Sequence, residues 1–153
     1  MLIQFYLRNK VILYYNNIMT DSCCVCKICE EDPTSHSFKI VGMCNNITYY
    51  YTCPAEASKY YDTQGIINHY DMLLELNKSN KNKWAWIFDC KGFNTKHLLE
   101  INVGIELAKL ITNKYSDSLE KILIINKNIY INTIIGLIYP FLNATIKNKI
   151  TVL

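Results

Sequence analysis

The chain has 153 residues, of which 50% are hydrophobic and 19% are charged, so it suits one folded domain and is too apolar to be disordered over most of its length. Its net charge of +3 comes from scattered lysines and a single arginine, Arg8. This balance argues against nucleic-acid binding, because phosphate backbones are bound by clustered arginine and lysine side chains.

The first 20 residues are apolar and basic, and we interpret them as a lead or appendage ahead of the folded domain. Arg8 and Lys10 interrupt the apolar run, and no small-residue cleavage site follows it. We therefore expect no secretory signal, a cytoplasmic location and reduced thiols.

Residues 21–37 form a cysteine-rich, loop-like segment. We expect its thiols to be reduced and metal-free, with Cys23 to Cys29 in or beside an exposed loop. Zinc modules normally offer two separated ligand pairs, and this spacing matches none of the familiar ones. The alternative is a zinc site in which Cys26 and Cys29 supply a thiolate pair, completed by Cys23 and His36.

A β-hairpin is predicted directly after this segment. Residues 38–43 and Ile47–Thr52 are rich in strand-forming side chains. Asn45 and Asn46 lie between them, and asparagine tolerates the positive φ angles of a tight turn. Pro54 then favours a helix over residues 55–61.

The rest of the chain alternates between helical and strand-like patterns. Apolar residues recur at helical spacing over residues 63–76, 95–112 and 131–142, the last of these ending near Pro140. Short apolar runs at residues 84–89, Leu119–Ile125 and 149–153 are typical of buried strands. This alternation predicts an α/β fold with a mixed, largely parallel sheet and helices packed against it.

One stretch, residues 122–142, is long and apolar enough to suggest a membrane span. It also contains Asn126, Lys127, Asn128, Asn132 and Pro140, and buried polar groups are costly in lipid. A strand, a loop and an apolar helix explain the stretch better.

Three motifs in the C-terminal half resemble the CRAL-TRIO lipid-binding family. The run WAWIFDCKGF at residues 84–93 is similar to the family's strand and small-residue turn, and YSDSLEKILIINKNIYI at residues 115–131 to its second apolar strand. The run IIGLIYPFLNATIKNKI at residues 134–150 resembles the family's gate helix with its Pro-Phe-Leu ending. The resemblance covers residues 38–153.

The resemblance implies a pocket for a lipid or another small hydrophobic ligand, with the sheet as floor and a movable apolar helix as lid. Burying an acyl chain there would gain about 0.8 kcal/mol per methylene group. It implies no bound cofactor. The expected pocket residues are Trp86, Phe88, Ile122 and Ile124 on the floor and Ile134, Ile135, Ile138 and Phe141 on the lid.

Departures from the family pattern leave a second interpretation open. Ser116 replaces the usual proline before the second strand, and Lys127 and Asn128 replace an Ala-Pro pair after it. Tyr139 occupies the position where phosphatidylinositol-transfer members carry a lysine. The alternative is therefore a protein-interaction module without bound lipid, as in the BCH branch of the family.

We expect no catalysis. His69, Asp71 and His97 are not accompanied by a serine elbow, a phosphate-binding loop or a metalloprotease motif. The expected partners are a hydrophobic small molecule or lipid, a membrane surface during transient contact, and a protein or a second copy of the chain paired along the final strand.

Overall fold

A computed structural model describes residues 26–153; the predicted lead at residues 1–20 and Cys23 lie outside the described residues. The described part is an α/β fold around one five-stranded sheet with strand order β1-β2-β3-β4-β5. The strands are β1 (Lys39–Cys44), β2 (Ile47–Thr52), β3 (Lys83–Asp89), β4 (Leu119–Ile125) and β5 (Ile150–Val152).

The sheet is largely parallel, as the alternating pattern predicts. β1 and β2 run antiparallel, whereas β2, β3, β4 and β5 are parallel to one another. The turn between β1 and β2 places Asn45 at φ 53° and Asn46 at φ 61°, which confirms the predicted hairpin.

Six α-helices complete the described part of the chain. Parallel strands that follow one another in sheet order are joined by right-handed crossovers, which place the connecting helices on one face of the sheet. In agreement with this, the second of the six helices contacts the fourth, and the fourth contacts the fifth. The helices are α1 (Lys27–Glu31), α2 (Thr63–Ser79), α3 (Thr95–Leu99), α4 (Ile101–Leu110), α5 (Ile129–Ile138) and α6 (Ala144–Lys147).

The helix predicted at residues 55–61 is wrong. Only a single 3₁₀ turn forms there, at Pro54–Glu56. The backbone N–H groups of Ser58 and Lys59 donate instead to the carbonyls of Thr34 and Ser35, at 2.9 and 3.1 Å. A helix does not continue here, because these N–H groups are hydrogen-bonded to the segment that precedes β1 and not to carbonyls of a preceding helical turn.

The helix predicted at residues 95–112 is interrupted at Glu100, whose φ of −87° and ψ of 43° are not helical. α3 ends at Leu99, α4 begins at Ile101, and a π-helical turn (Ile111–Tyr115) follows. The interruption changes the direction of the side chains, so that Leu99 is 74% exposed although it belongs to the predicted apolar stripe.

The loop predicted for the cysteine-rich segment is wrong at Lys27–Glu31, which form α1. Cys26 caps the N-terminus of α1, and Cys29 within this helix is buried. His36 is buried as well. The segment folds against the domain because Ile28 packs close to Gly65, near the start of α2.

No helix within residues 26–153 is long and apolar enough to cross a membrane. The stretch at residues 122–142 divides into β4, a short loop and α5. α5 ends at Ile138, ahead of Pro140, which is the stop predicted for it.

Candidate functional site

An apolar cavity of about 90 Å³ lies between the sheet and helices α4 and α5. Its floor comes from alternate residues of two paired strands, because Trp86 pairs with Ile122 and Phe88 with Ile124. Seven of the eight pocket residues predicted from the sequence line this cavity: Trp86, Phe88, Ile122, Ile124, Ile134, Ile135 and Ile138.

The eighth predicted residue, Phe141, lies outside this cavity. After α5 the chain turns through a short 3₁₀ segment, Tyr139–Phe141, that contains Pro140. This turn carries the Phe141 side chain away from the floor, leaving it 38% exposed with Lys109 Nζ 5.6 Å from its ring centroid.

Helix α4 supplies a wall of the cavity that the pocket prediction missed. Its signal in the sequence is the apolar stripe of residues 95–112, to which Ala108 on α4 and Ile111 directly after it belong. The prediction stopped at floor and lid because periodicity does not say which helix lies beside another. The residues missed are Gly104, Leu107, Ala108, Ile111, Leu142, Ile146 and Ile150.

A second cavity, also of about 90 Å³, adjoins the first. The two share one wall, which consists of Phe88, Gly104, Leu107 and Ile134. The far side of the second cavity is more polar than the first, because His36, Tyr60, His97 and Glu100 contribute to its lining.

His97 presents an unused hydrogen-bond donor in the lining of the second cavity. Its Nδ1 atom accepts the backbone N–H of Asn94 at 3.1 Å, so the proton of the neutral ring resides on Nε2. Nε2 is buried and has no partner among the described residues. Burial, with a smaller contribution from Lys96, lowers the pKa of His97, which keeps the ring neutral near pH 7.

Asn128 anchors the first turn of α5. Its Oδ1 atom accepts the backbone N–H groups of Tyr130 and Ile131, and its Nδ2 atom donates to the carbonyls of Cys90 and Phe93. One side chain thus caps the helix and fixes it to the loop after β3. The other end of α5 leads into the exposed Pro140 turn, which a single side-chain hydrogen bond among the described residues holds, from the hydroxyl of Thr112 to the carbonyl of Phe141 at 3.1 Å.

A family model described as the CRAL/TRIO domain matches residues 8–153. The chain belongs to the CRAL-TRIO family. The match includes most of the lead and the cysteine-rich segment, ahead of residue 38, where the resemblance found in the sequence begins.

Comparison with solved structures also supports the CRAL-TRIO fold. Eighteen chains match, and one of them, in the structure titled "Crystal structure of Sfh5", has a TM-score of 0.63 at 15% sequence identity. The alignment covers 80% of the present chain and 50% of that one, so this chain spans about half the length of the solved protein. No curated protein matches the sequence.

Membership in the CRAL-TRIO family sets the general class of function. These domains generally bind small lipophilic ligands, and the members of the family are lipid-binding, non-enzymatic proteins.

Asp89 has a structural role in this CRAL-TRIO domain, joining three neighbouring strands where they end. Its Oδ1 atom accepts hydrogen bonds from Lys91 N at 2.9 Å and Asn126 Nδ2 at 2.7 Å. Its Oδ2 atom accepts one from the hydroxyl of Tyr51 at 2.8 Å. Both carboxylate oxygens of Asp89 thus accept hydrogen bonds from within the domain.

The cysteine-rich segment and helix α2 bring four thiol and imidazole side chains together beside the second cavity, whose lining includes one of them, His36. Cys26, Cys29, His36 and His69 each place one possible ligand atom within 4.8 Å of the other three. Burial is the main reason that the pKa of Cys29 rises to about 11, and it lowers the pKa values of both histidines. His69, on α2, was not among the metal candidates considered from sequence.

Proposed function

We propose that the chain binds a small lipophilic molecule between its sheet and helix α5, with α5 as a movable gate. The observation that carries the proposal is the continuous apolar lining shared by the two adjoining cavities, built from β3, β4, α4 and α5. Because lipid binding is general in the family, the same region is the natural place for a ligand here.

The small size of the cavities supports a movement of α5 on ligand entry. Pockets for small molecules usually measure about 300–1,000 Å³, whereas each cavity here is about 90 Å³. Separating α5 from α4 would join and enlarge them. The anchored start of α5 at Asn128 and its exposed end at Pro140 favour a hinge at the start of this helix.

The unused N–H of His97 suggests the chemistry of the ligand. A ligand that fills both cavities would place its apolar body against Ile122, Ile124 and Ile134, and one end near His97. A buried donor without a partner costs about 1–3 kcal/mol, so a ligand oxygen that accepts this proton would be favoured. We propose a lipophile that carries a hydroxyl, carbonyl or carboxylate oxygen.

We also propose that the chain is located in the cytoplasm and contacts membranes transiently through the end of α5. Leu137, Tyr139 and Phe141 are 50, 46 and 38% exposed. Lys147 Nζ lies 4.4 Å from the ring centroid of Tyr139, and Lys109 Nζ lies near the ring of Phe141. Exposed apolar and aromatic side chains beside lysines are typical of segments that bind the interface of anionic membranes.

The alternative is a protein-interaction module in which the ligand space has closed. The small cavity volumes favour it, as does the exposure of Leu99 (74%) and Ile129 (76%) beside the start of the gate. A module of this kind would retain no lipid.

Lipid retention by a matched pair of variants tests the proposal. Ile138 lines the cavity, whereas Leu137 on the same helix is half exposed. Ile138→Asp should lower the affinity for a fluorescent fatty acid about tenfold or more, equivalent to about 1.4 kcal/mol. Leu137→Asp should bind as the wild type does.

Lipid mass spectrometry of the purified wild type and thermal melts of both variants complete the test. We expect co-purified lipid and a nearly unchanged melt of Ile138→Asp, because its carboxylate can reach water at the helix edge. A wild type without lipid or saturable binding, together with a collapsed melt of Ile138→Asp, would mean a solid core, since a buried unpaired charge costs several kcal/mol.

A further inference from the structure

The N-terminal segment and helix α2 together form a four-residue cluster of sulfur and nitrogen atoms. Nδ1 of His36 lies 3.5 Å from Sγ of Cys26 and 3.4 Å from Sγ of Cys29. Nδ1 of His69 lies 3.9 Å from Sγ of Cys29, although 40 positions separate these two residues. Local sequence therefore does not account for the fourth member, which the fold itself delivers.

These separations match the ligand shell of tetrahedral zinc. Zinc–sulfur bonds of about 2.3 Å and zinc–nitrogen bonds of about 2.05 Å, meeting at the tetrahedral angle, place sulfur and nitrogen about 3.6 Å apart. The three observed sulfur–nitrogen distances are 3.4, 3.5 and 3.9 Å. No pair of ligand atoms is more than 4.8 Å apart, so side-chain adjustments suffice to close the shell.

The surroundings orient the ligand atoms toward a common centre. The Nε2 atom of His69 lies 2.7 Å from the carbonyl oxygen of Phe38 and must donate to it, which leaves the Nδ1 lone pair facing Cys29. The backbone N–H of Cys29 donates to Sγ of Cys26 at 3.4 Å, a contact that favours a thiolate. Both are arrangements that support metal ligands from outside the coordination shell.

We propose that Cys26, Cys29, His36 and His69 bind one zinc ion that fastens the N-terminal segment to helix α2. Binding replaces the two S–H bonds by S–Zn bonds and releases two protons, and the two thiolates balance the charge of Zn²⁺. A neutral centre suits this site, because Cys29, His36 and His69 are buried. Two sulfur and two nitrogen ligands select zinc over calcium or magnesium, which require oxygen ligands.

Metal binding would also fix one wall of the second cavity. His36 contributes to the lining of that cavity, and Nε2 of His36 is buried without a partner in the described part of the chain. Coordination through Nδ1 would place the ring proton on Nε2, next to the cavity that also contains His97. This consequence rests on the proposed function, whereas the zinc site itself does not.

Metal analysis of the purified full chain, with any affinity tag removed, tests the site. We expect one zinc ion per chain, retained on gel filtration. Substitution with Co²⁺ should give the visible bands of tetrahedral cobalt and a near-ultraviolet sulfur-to-cobalt charge-transfer band. Less than about a tenth of a zinc ion per chain after refolding with zinc, with no cobalt bands, would overturn the proposal.

Variants identify the ligands. Cys29→Ser and His69→Gln should each lower the affinity for zinc at least about tenfold. A tenfold loss is about the smallest effect expected when only a supporting partner outside the coordination shell is removed, and these two residues are proposed as direct ligands. The matched controls Cys44→Ser, an exposed cysteine, and His97→Gln, a buried histidine outside the cluster, should retain full zinc content. Cobalt spectra of the wild type keep the test decisive if a ligand variant does not fold.

The neighbouring thiols provide a further control. A chain with Cys23→Ser and Cys24→Ser should keep its zinc and its cobalt spectrum. Loss of zinc from that variant, combined with retention by His69→Gln, would overturn the assignment of His69 as a ligand. Fatty-acid binding measured on the same zinc-depleted samples separates failure of this site from failure of the proposed ligand pocket.

Discussion

Gly104 on α4 faces Ile138 on α5 so closely that a β-carbon at position 104 would lie 3.2 Å from Cγ2 of Ile138. Gly104 also lines both cavities. The missing side chain therefore sets both the distance between the two helices and the space available for a ligand.

Gly104 and Gly136 form a matched pair for testing this contact. Alanine is favoured over glycine in a helix by up to about 1 kcal/mol. A β-carbon at Gly136 meets no atom within 4 Å, so Gly136→Ala should gain this stability in full. Gly104→Ala should gain less, because Ile138 must move. Urea denaturation measures the difference, and equal gains would contradict close packing of the two helices.

The same pair tests ligand space. Gly104→Leu should weaken fatty-acid binding about tenfold or more, because the new side chain extends from the shared wall into the space of the two cavities. Gly136→Leu points into open space and should bind as the wild type does. Unchanged binding by Gly104→Leu would place the ligand elsewhere.

Asn128 should matter more for stability than an ordinary helix cap. Loss of a capping side chain typically costs about 0.5–2 kcal/mol, and Asn128→Ala also removes two hydrogen bonds to loop carbonyls. We expect a loss of about 2 kcal/mol, against about 1 kcal/mol for Asn143→Ala, which caps α6 through one bond. Chemical denaturation compares the two.

Asn128→Ser separates the two roles of this residue. Serine retains a capping acceptor but lacks the amide that reaches Cys90 and Phe93. We expect an intermediate stability and faster release of bound fatty acid, measured by stopped-flow displacement. Release at the wild-type rate would contradict a hinge at this position.

The hydrogen-bonded carboxylate of Asp32 should make the protein less stable in acid. Its carboxylate accepts hydrogen bonds from the hydroxyl and backbone N–H of Thr34 and from the hydroxyl of Ser58, and these lower its pKa from 3.8 to about 2. A lowered folded-state pKa stabilises the protein above pH 4, and this contribution is lost as the pH falls toward 2.

Thermal melts between about pH 2 and pH 6 isolate this contribution, the window following from the ordinary and lowered pKa values of an aspartate. Asp32→Asn should melt below the wild type at the upper end of the range, and the difference should shrink as the pH falls. Glu31→Gln, a change at an exposed neighbour, should follow the wild type throughout. A constant difference for Asp32→Asn would show that the carboxylate charge is not responsible.

The exposed aromatic side chains after the end of α5 should contribute to membrane binding. Replacing both Tyr139 and Phe141 by serine removes two exposed aromatic side chains and should reduce sedimentation with anionic vesicles several-fold, because each lost ring removes apolar area from the interface. Leu76→Ser, an exposed apolar position on α2, is the control. Equal sedimentation of all three proteins would exclude this surface.

The sequence predicts those elements whose determinants are local. The hairpin follows from Asn45 and Asn46, and the buried strands follow from apolar runs with branched and aromatic side chains. Seven pocket residues also fall in one cavity. Strand alternation places the four floor residues on one face of the sheet, and helical spacing places Ile134, Ile135 and Ile138 on one side of α5.

The features that were mispredicted depend on contacts between distant segments. Pro54 favours a helix, but the N–H groups of Ser58 and Lys59 bind carbonyls that precede the sheet. His69 lies within the buried side of α2, between Ile66 and Leu73, where a histidine is unusual among apolar neighbours. Only the folded chain shows that Cys29 is beside it.

The order of the strands in the sheet has a consequence for synthesis on the ribosome. Because β1 to β5 are neighbours in the order in which they are translated, each new strand finds its partner already made. The hairpin and all four members of the sulfur–nitrogen cluster lie before residue 70. The nascent chain can therefore complete its N-terminal unit first, and each later strand adds to an edge that is already folded.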